Sequence, residues 1–417
     1  MENAIRYAVI GFALAASASA QAAGFALIEQ SASGMGNAYA GGAAIAEDAS
    51  TIFFNPAGMT YIEGTQAVGA LHLIKPNAEF KNKGSDPAAG FPPPGGDEGP
   101  NAGDLAFVPN FYFMTDLTPT IKIGVGVNAP FGLKTEYDDG WIGRFQAVKS
   151  EVKTININPS IAFKVNDQLS LGLGVSAMWT EATLTRQVNR VVAAESDVEI
   201  KGDDWGYGFN LGAIYQATAD TRFGVAYRSK VKQELEGEAK FGATLSANDS
   251  DVIASVDLPE SFSASVFSRV NDKWDVMADV TWTRWSRFEE LRIKLDSGAP
   301  DVFTGENWEN TMRYSIGVNY HYSDAIKLRA GLAYDEEAIK DEFRTARIPG
   351  NDRKWVALGT SYTASPTSKF DIGYTHLFIS DAKINAVDEQ DPTVNGRVRG
   401  DFEGSVDILS LQYTHNF

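Results

Sequence analysis

The sequence predicts an all-β fold: a 14-stranded antiparallel transmembrane β-barrel with an N-terminal plug inside its lumen. Three observations predict it. Apolar and polar residues alternate with period two along most of the chain, tight turns alternate with long loops, and a Gly/Ala/Ser-rich stretch near the N-terminus shows neither habit.

The chain begins with a leader. Residues 1–22 carry Arg6 near the start, the apolar run "YAVIGFALAASASA", and Ala20 and Ala22 in an A-x-A arrangement, the pattern of a cleavable secretory signal cut between Ala22 and Ala23. As an anchor helix the run is too short and too rich in Ala and Ser, since a span needs roughly 20 apolar residues. No later segment is long and apolar enough for a membrane helix. With 417 residues and no Cys, the exported chain is not a disulfide-stapled module. Its net charge of −18 argues against nucleic acid as a partner, because phosphate binding needs clustered Lys and Arg.

Residues 23–64 come next, a hatch by expectation. "AGFALIEQSASGMGNAYAGGAAIAEDASTIFFNPAGM" has no two-residue alternation, and its small and apolar residues suit close packing more than solvation. About 40 residues are the right amount to plug a barrel of this size, which would otherwise leave an open lumen. Within it Pro56 fixes its own φ and pushes Asn55 into extended backbone. Asn55, with two donors and an acceptor, is suited to lock the hatch to the wall.

Residues 65–417 make the wall. In "KTININPSIAFKVND", Ile155, Ile157, Pro159, Ile161, Phe163 and Val165 share one parity, and the next run sets Leu169, Leu171, Leu173, Val175, Ala177 and Trp179 on one face. That is a hairpin. Such runs are expected near 65–76, 105–116, 120–130, 152–165, 168–184, 205–217, 221–235, 259–270, 274–294, 309–322, 326–337, 354–363, 369–385 and 403–417. Their links alternate between tight turns ("LTPT", "VNDQ", "YSDA") and long loops ("DEEAIKDEFRTARIPGNDRK"), as in outer-membrane barrels with short periplasmic turns. Trp274, Tyr320 and Tyr322 adjoin tight turns, where an aromatic girdle belongs. The C-terminal "SVDILSLQYTHNF" alternates to a final Phe417, which resembles the terminal signal of bacterial outer-membrane proteins. Alternation alone leaves a large secreted β protein as the other reading.

The residues quoted for the hatch, with "NPA" at Asn55, Pro56 and Ala57, resemble the N-terminal hatch of the FadL/TodX family of outer-membrane transporters of long-chain fatty acids and other hydrophobic compounds. "APFGL", "WIGRF", "YRSKVK", "LPESFSAS", "TWTRWSRFEELRIK" and "RIPGNDRKW" extend the resemblance over essentially the whole mature chain. The resemblance implies localisation in the bacterial outer membrane, contact with its lipid, passive hatch-gated uptake, a pocket inside the barrel and a lateral opening in the wall. It implies Arg186 and Arg292 as partners of a substrate carboxylate and Phe25 as an aromatic at the pocket. The stretch from Thr185 to Asp204 reads as a loop of about 20 residues, shorter than in fatty-acid members. Hydrocarbon transporters share the same motifs, so monoaromatic or alkane uptake stays open, as does a surface adhesion or structural barrel.

Enzyme signatures are missing. His72, His321, His376 and His415 stand apart on strand-like segments, and no G-x-S-x-G, H-E-x-x-H or P-loop pattern occurs. No metal and no cofactor is expected, and nothing in the sequence asks for more than a monomer.

Overall fold

The structure is a computed structural model that describes residues 24–90, 94–388, 391 and 393–417. The leader expected at 1–22 lies outside the described residues. Strands follow in the order β1 (Gln66–Asn82), β2 (Ala106–Thr118), β3 (Ile121–Asn128), β4 (Gly132–Glu136), β5 (Lys149–Lys164), β6 (Leu169–Val188), β7 (Ser196–Gln216), β8 (Thr221–Arg228), β9 (Val231–Phe241) and β10 (Ser250–Leu258). Then come β11 (Ser261–Asn271), β12 (Trp274–Thr283), β13 (Glu290–Leu295), β14 (Val302–Gly305), β15 (Thr311–His321), β16 (Ile326–Asp335), β17 (Arg353–Ser365), β18 (Ser368–Ile379), β19 (Ala382–Val387) and β20 (Arg397–Asn416). Several are two pieces of one passage through the membrane, namely β3/β4, β8/β9, β10/β11, β12/β13, β14/β15 and β18/β19, so the described strands make fourteen antiparallel courses. The last strand pairs with the first, from Gln66↔Asn416 to Asn82↔Gly400, and closes the sheet.

Alternation decides which side chains face outward. Leu409, Leu411 and Tyr413 on β20 and Phe370, Ile372 and Tyr374 on β18 are exposed around the outside, while Ser410, Gln412 and Thr414 point inward and are buried. Trp274 and Tyr320 sit together at the tight-turn end, ring centroids 4.7 Å apart, where amphipathic rings suit the interface. Several strands run longer than the alternation suggests. The first continues to Asn82, and the stretch Thr185–Asp204, expected as a loop, is mostly strand: β6 and β7 pair as far as Val188↔Ser196 in a tall hairpin. Strand registers rather than hydropathy carry these extensions, because above the membrane both faces of a strand can be polar.

The lumen is filled by residues 24–62. They carry two one-turn helices, α1 (Ala32–Met35) and α2 (Thr51–Phe54), and a short 3₁₀ helix at Pro56–Tyr61. Packing against the wall is backbone to backbone at several glycines, Gly224 and Gly331 among them. A Cβ on Gly224 would fall on the Ala43 carbonyl, and one on Gly331 would fall on the Asn37 carbonyl carbon. The small residues of the plug and the glycines of the wall are two sides of one contact.

The wall is not uniform. The β2–β3 ladder ends at Phe111↔Val127, and β4 pairs with β5 while no described residue of β2 pairs with β4. Residues 106–110 therefore have ladder partners on the β1 side alone. Three adjacent courses also break at 229–230, 259–260 and 284–289, and the third break brings Trp285 into the lumen side, where it is buried.

Candidate binding site and gate

Phe25 organises the site. Its carbonyl accepts from Gly132 N at 2.9 Å, Leu27 N donates to Pro130 O at 2.8 Å, and Ala26 bridges Phe131, so the hatch N-terminus is sewn into the break between β3 and β4. Pro130 has no N–H to give to a neighbouring strand, which suits it to that break. The Phe25 ring, 5% exposed, lies 5.0 Å from Trp285, 5.8 Å from Trp308, 6.0 Å from Phe131 and 6.1 Å from Phe288. Edge-on contacts of this kind favour one arrangement of the cluster over others.

Above the cluster is an apolar cavity of about 100 Å³, bounded by Phe25 and Phe288 and walled by aliphatic side chains such as Leu133, Leu184, Ile200, Val256 and Ile293. Arg347 is at its edge. The long loop between β16 and β17 dips into the barrel mouth, held by Thr135 Oγ1 donating to Arg347 O (2.9 Å) and Tyr137 OH donating to Ala346 O (2.8 Å). The Arg347 guanidinium donates to Lys149 O (3.2 Å), Ser150 Oγ (3.0 Å) and Gln146 O (2.9 Å), all neutral oxygens. Burial pulls its pKa down to about 10, with Arg186 adding to the effect. Two smaller cavities continue outward from here, and Arg347 and Arg186 line both.

Arg186 lies one step farther out than Phe25. Its Nη1 donates to Phe145 O and to Asp388 Oδ2, each at 3.1 Å. Arg292 is elsewhere: Nε and Nη2 reach Glu290 at 2.6 and 2.9 Å, Nη1 reaches Asp301 at 3.2 Å, and its guanidinium lies 5.0 Å over Phe303. The structure therefore brings Arg186 and Arg347 to the cavities and holds Arg292 among carboxylates at the exposed rim. Sequence reasoning missed Arg347, which sits in a loop where alternation has nothing to say.

Asn55 joins hatch to wall. Nδ2 donates to Ala43 O (2.6 Å) and reaches the facing carbonyls of Ala213 (3.1 Å) on β7 and Val225 (3.3 Å) on β8, while Oδ1 caps the 3₁₀ helix by accepting from Ala57 N (3.1 Å). Its backbone is extended, φ −162°, ψ 103°, and Pro56 follows as the first helical residue, where a missing N–H costs nothing. Gly212 leaves room for the Asn55 side chain, and Gly172 for the backbone of Ala57.

Charge pins the other end of the hatch. Glu47 Oε1 accepts from Arg329 (2.6 Å), Lys327 (3.0 Å) and Lys369 (3.2 Å), and Arg329 also donates to Asp371 at 2.7 Å. Burial disfavours the charge on Glu47, yet Arg329, Lys327 and Lys369 outweigh it and hold the carboxyl well below its ordinary range. Glu29 has the opposite fate. It is buried beside the stretch 106–110 that has a ladder on one side alone, where Asn110 donates to its carbonyl at 2.9 Å, and burial pushes its carboxyl up to about 7 against the pull of its backbone N–H, Arg313 and Arg353.

The arrangement is a greasy cavity with a cation at its edge, an aromatic partition, and a hatch tied to the wall by identifiable bonds. The family model described as outer membrane protein transport protein (OMPP1/FadL/TodX) matches residues 13–417. The chain is 29% identical to the long-chain fatty acid transport protein of Escherichia coli O6:H1 over 401 residues, 87% of this chain and 88% of that one. It is 30% identical to outer membrane protein P1 of Haemophilus influenzae, covering 97% of each. Among solved structures, a Pseudomonas aeruginosa FadL homologue superposes with a TM-score of 0.87 at 26% identity, over 95% of this chain and all of that one. The toluene transporter TbuX of Ralstonia pickettii gives 0.70 at 20% identity, over 92% of this chain and 98% of that one, which is a likeness of fold. The chain belongs to the OMPP1/FadL/TodX family of outer-membrane transport proteins.

Proposed function

We propose that this barrel takes up long-chain fatty acids passively, residues 23–64 serving as its hatch and residues 65–417 as its wall. The observation that carries this reading is Arg347, a guanidinium bonded to three neutral oxygens at the edge of an aliphatic cavity. Glu306, on the same lining, answers part of the charge; a substrate carboxylate at that edge adds to it, and an alkyl chain beyond it fills the cavity. Each methylene kept out of water is favourable by about 0.8 kcal/mol, so a route among apolar walls lowers the barrier that an aqueous pore would impose. Release is sideways, through the stretch of wall where β2 and β4 share no ladder.

Support also comes from relatives named long-chain fatty acid transport proteins. In this scheme Arg186 meets the headgroup first and Arg347 takes it over. Arg292 keeps the place expected of it in the ligand set only if its carboxylates release it. The test is binding of labelled oleate to the purified barrel, with Arg347→Met and Arg186→Ala alongside wild type. We expect oleate affinity to fall by about tenfold or more in Arg347→Met, the loss of one charge-assisted contact. Binding of toluene without binding of oleate sinks the fatty-acid reading in favour of monoaromatic uptake.

A further inference from the structure

The aromatic cluster divides the lumen. Phe25 and Phe288 face the apolar cavity, whereas Phe131 and Trp285 face a second cavity of about 150 Å³. Leu27, Ile28, Phe53 and Phe54 of the hatch give this chamber an apolar side, and Pro130 and Phe131 bring it to the break in the wall. It therefore lies between the partition and that break.

Arg228, the last residue of β8, lines it. Its Nη2 donates to Phe53 O at 2.8 Å and its guanidinium lies 4.3 Å over the Phe53 ring, while Nη1 is enclosed without a hydrogen-bond partner. Among the described residues, no carboxylate comes within ion-pair distance of it. The carboxylates that line the chamber are committed elsewhere. Asp279 accepts from Ser265 and from Thr281, and Asp335 lies 3.6 Å from Arg353. Arg313, the other cation on this lining, donates to Ala38 O at 2.7 Å and also leaves Nε and Nη1 without a hydrogen-bond partner, but Glu29 and Asp335 stand near it as counter-charge. An enclosed cation with a free N–H and no counter-ion is costly to keep unless something else answers it.

The geometry points to a second anion site. Arg228 receives the carboxylate of an alkyl substrate after it has passed the Phe25 partition and before it leaves through the wall, with the tail lying against Phe53, Phe54, Leu27 and Ile28. A headgroup oxygen accepts the hydrogen bond from Nη1 that no protein group accepts. A neutral alkyl compound gains nothing from this residue, so the chamber selects for carboxylates at a point downstream of the first cavity. The inference rests on the fatty-acid reading above and adds a station to it.

The test compares initial uptake of labelled oleate and labelled oleyl alcohol by cells carrying wild type, Arg228→Gln or Arg228→Lys, together with oleate affinity of each purified barrel. We expect Arg228→Gln to slow oleate uptake by about tenfold, the value of one charge-assisted hydrogen bond, with oleyl alcohol uptake unchanged. Arg228→Lys should restore most of the rate. Equal slowing of both compounds would reduce Arg228 to a hatch support and overturn the proposal, as would unchanged oleate uptake. If wild-type barrel binds no oleate, the functional reading falls first and the station with it. Normal binding with no carboxylate-selective effect removes the station alone.

Discussion

Replacing Asn55 by Ala should loosen the hatch and leave the barrel standing. The side chain is fully buried and makes three distinct contributions: the bond to Ala43 O, the bond shared between the facing carbonyls of Ala213 and Val225, and the cap on Ala57 N. A buried hydrogen bond contributes about 1 kcal/mol net, and a helix cap about the same, so the loss comes to about 3 kcal/mol. That is about a hundredfold in the equilibrium between docked and undocked hatch. The wall ladder is untouched, since Ala213 and Val225 remain paired with each other. Asn55→Asp keeps the oxygen that caps Ala57 but sets a second carboxyl oxygen against the carbonyls of Ala43, Ala213 and Val225 in a fully buried site, so it should cost more than Asn55→Ala. Amide hydrogen exchange through residues 43–61 measures the docking equilibrium, heat-modifiable migration in gels reports the barrel, and labelled oleate reports uptake. Faster exchange and altered uptake on an intact barrel are expected. Wild-type exchange and wild-type uptake in Asn55→Ala would refute the lock.

Two further perturbations bear on the same hatch. Because burial raises the Glu29 carboxyl to about 7, the docked hatch binds a proton that the undocked one releases above its ordinary value of 4.5. The contribution to docking is complete below about pH 4.5 and is lost as pH rises through 7, a span of about 3 kcal/mol. Exchange protection of residues 26–32 should therefore weaken between pH 5 and 8 in wild type and stay level in Glu29→Gln; parallel pH profiles would contradict this. Gly224→Val places a side chain where the Ala43 carbonyl lies, so the plug must shift while β8 keeps its register. Protease should then cut near residue 43 in folded barrels, and full resistance would count against the close contact.

The wall was legible because lipid imposes alternation, and alternation survives in single residues: Leu409, Leu411 and Tyr413 face outward as their parity demands. Breaks in the wall were not, since the strands on either side of 229–230 and 284–289 keep their patterns. Pro130 and Pro259 mark two of the interruptions and could have been used as such. The hatch was legible from composition, and the role of Asn55 from the chemistry of its amide. Arg347 was hidden because a loop has no period. Arg292 shows what strand geometry could have supplied: residues two apart share a face, so Glu290 was bound to be its neighbour. The ionic clamp on Glu47 had a faint signal in "AEDAS", the acidic pair of a hatch otherwise short of charge.

The central claim, that an alkyl carboxylate occupies the cavities divided by Phe25, is open to one direct measurement. Of the 8 Trp in the chain, Trp285 and Trp308 stand around Phe25, with rings 4.9 Å apart. A fatty acid brominated near its tail quenches tryptophan emission only at contact range. The account predicts saturable quenching by bromostearate in wild-type barrel, largely abolished in the Trp285→Phe, Trp308→Phe double variant. Quenching that persists undiminished in the double variant places the chain on the outer surface and contradicts the account.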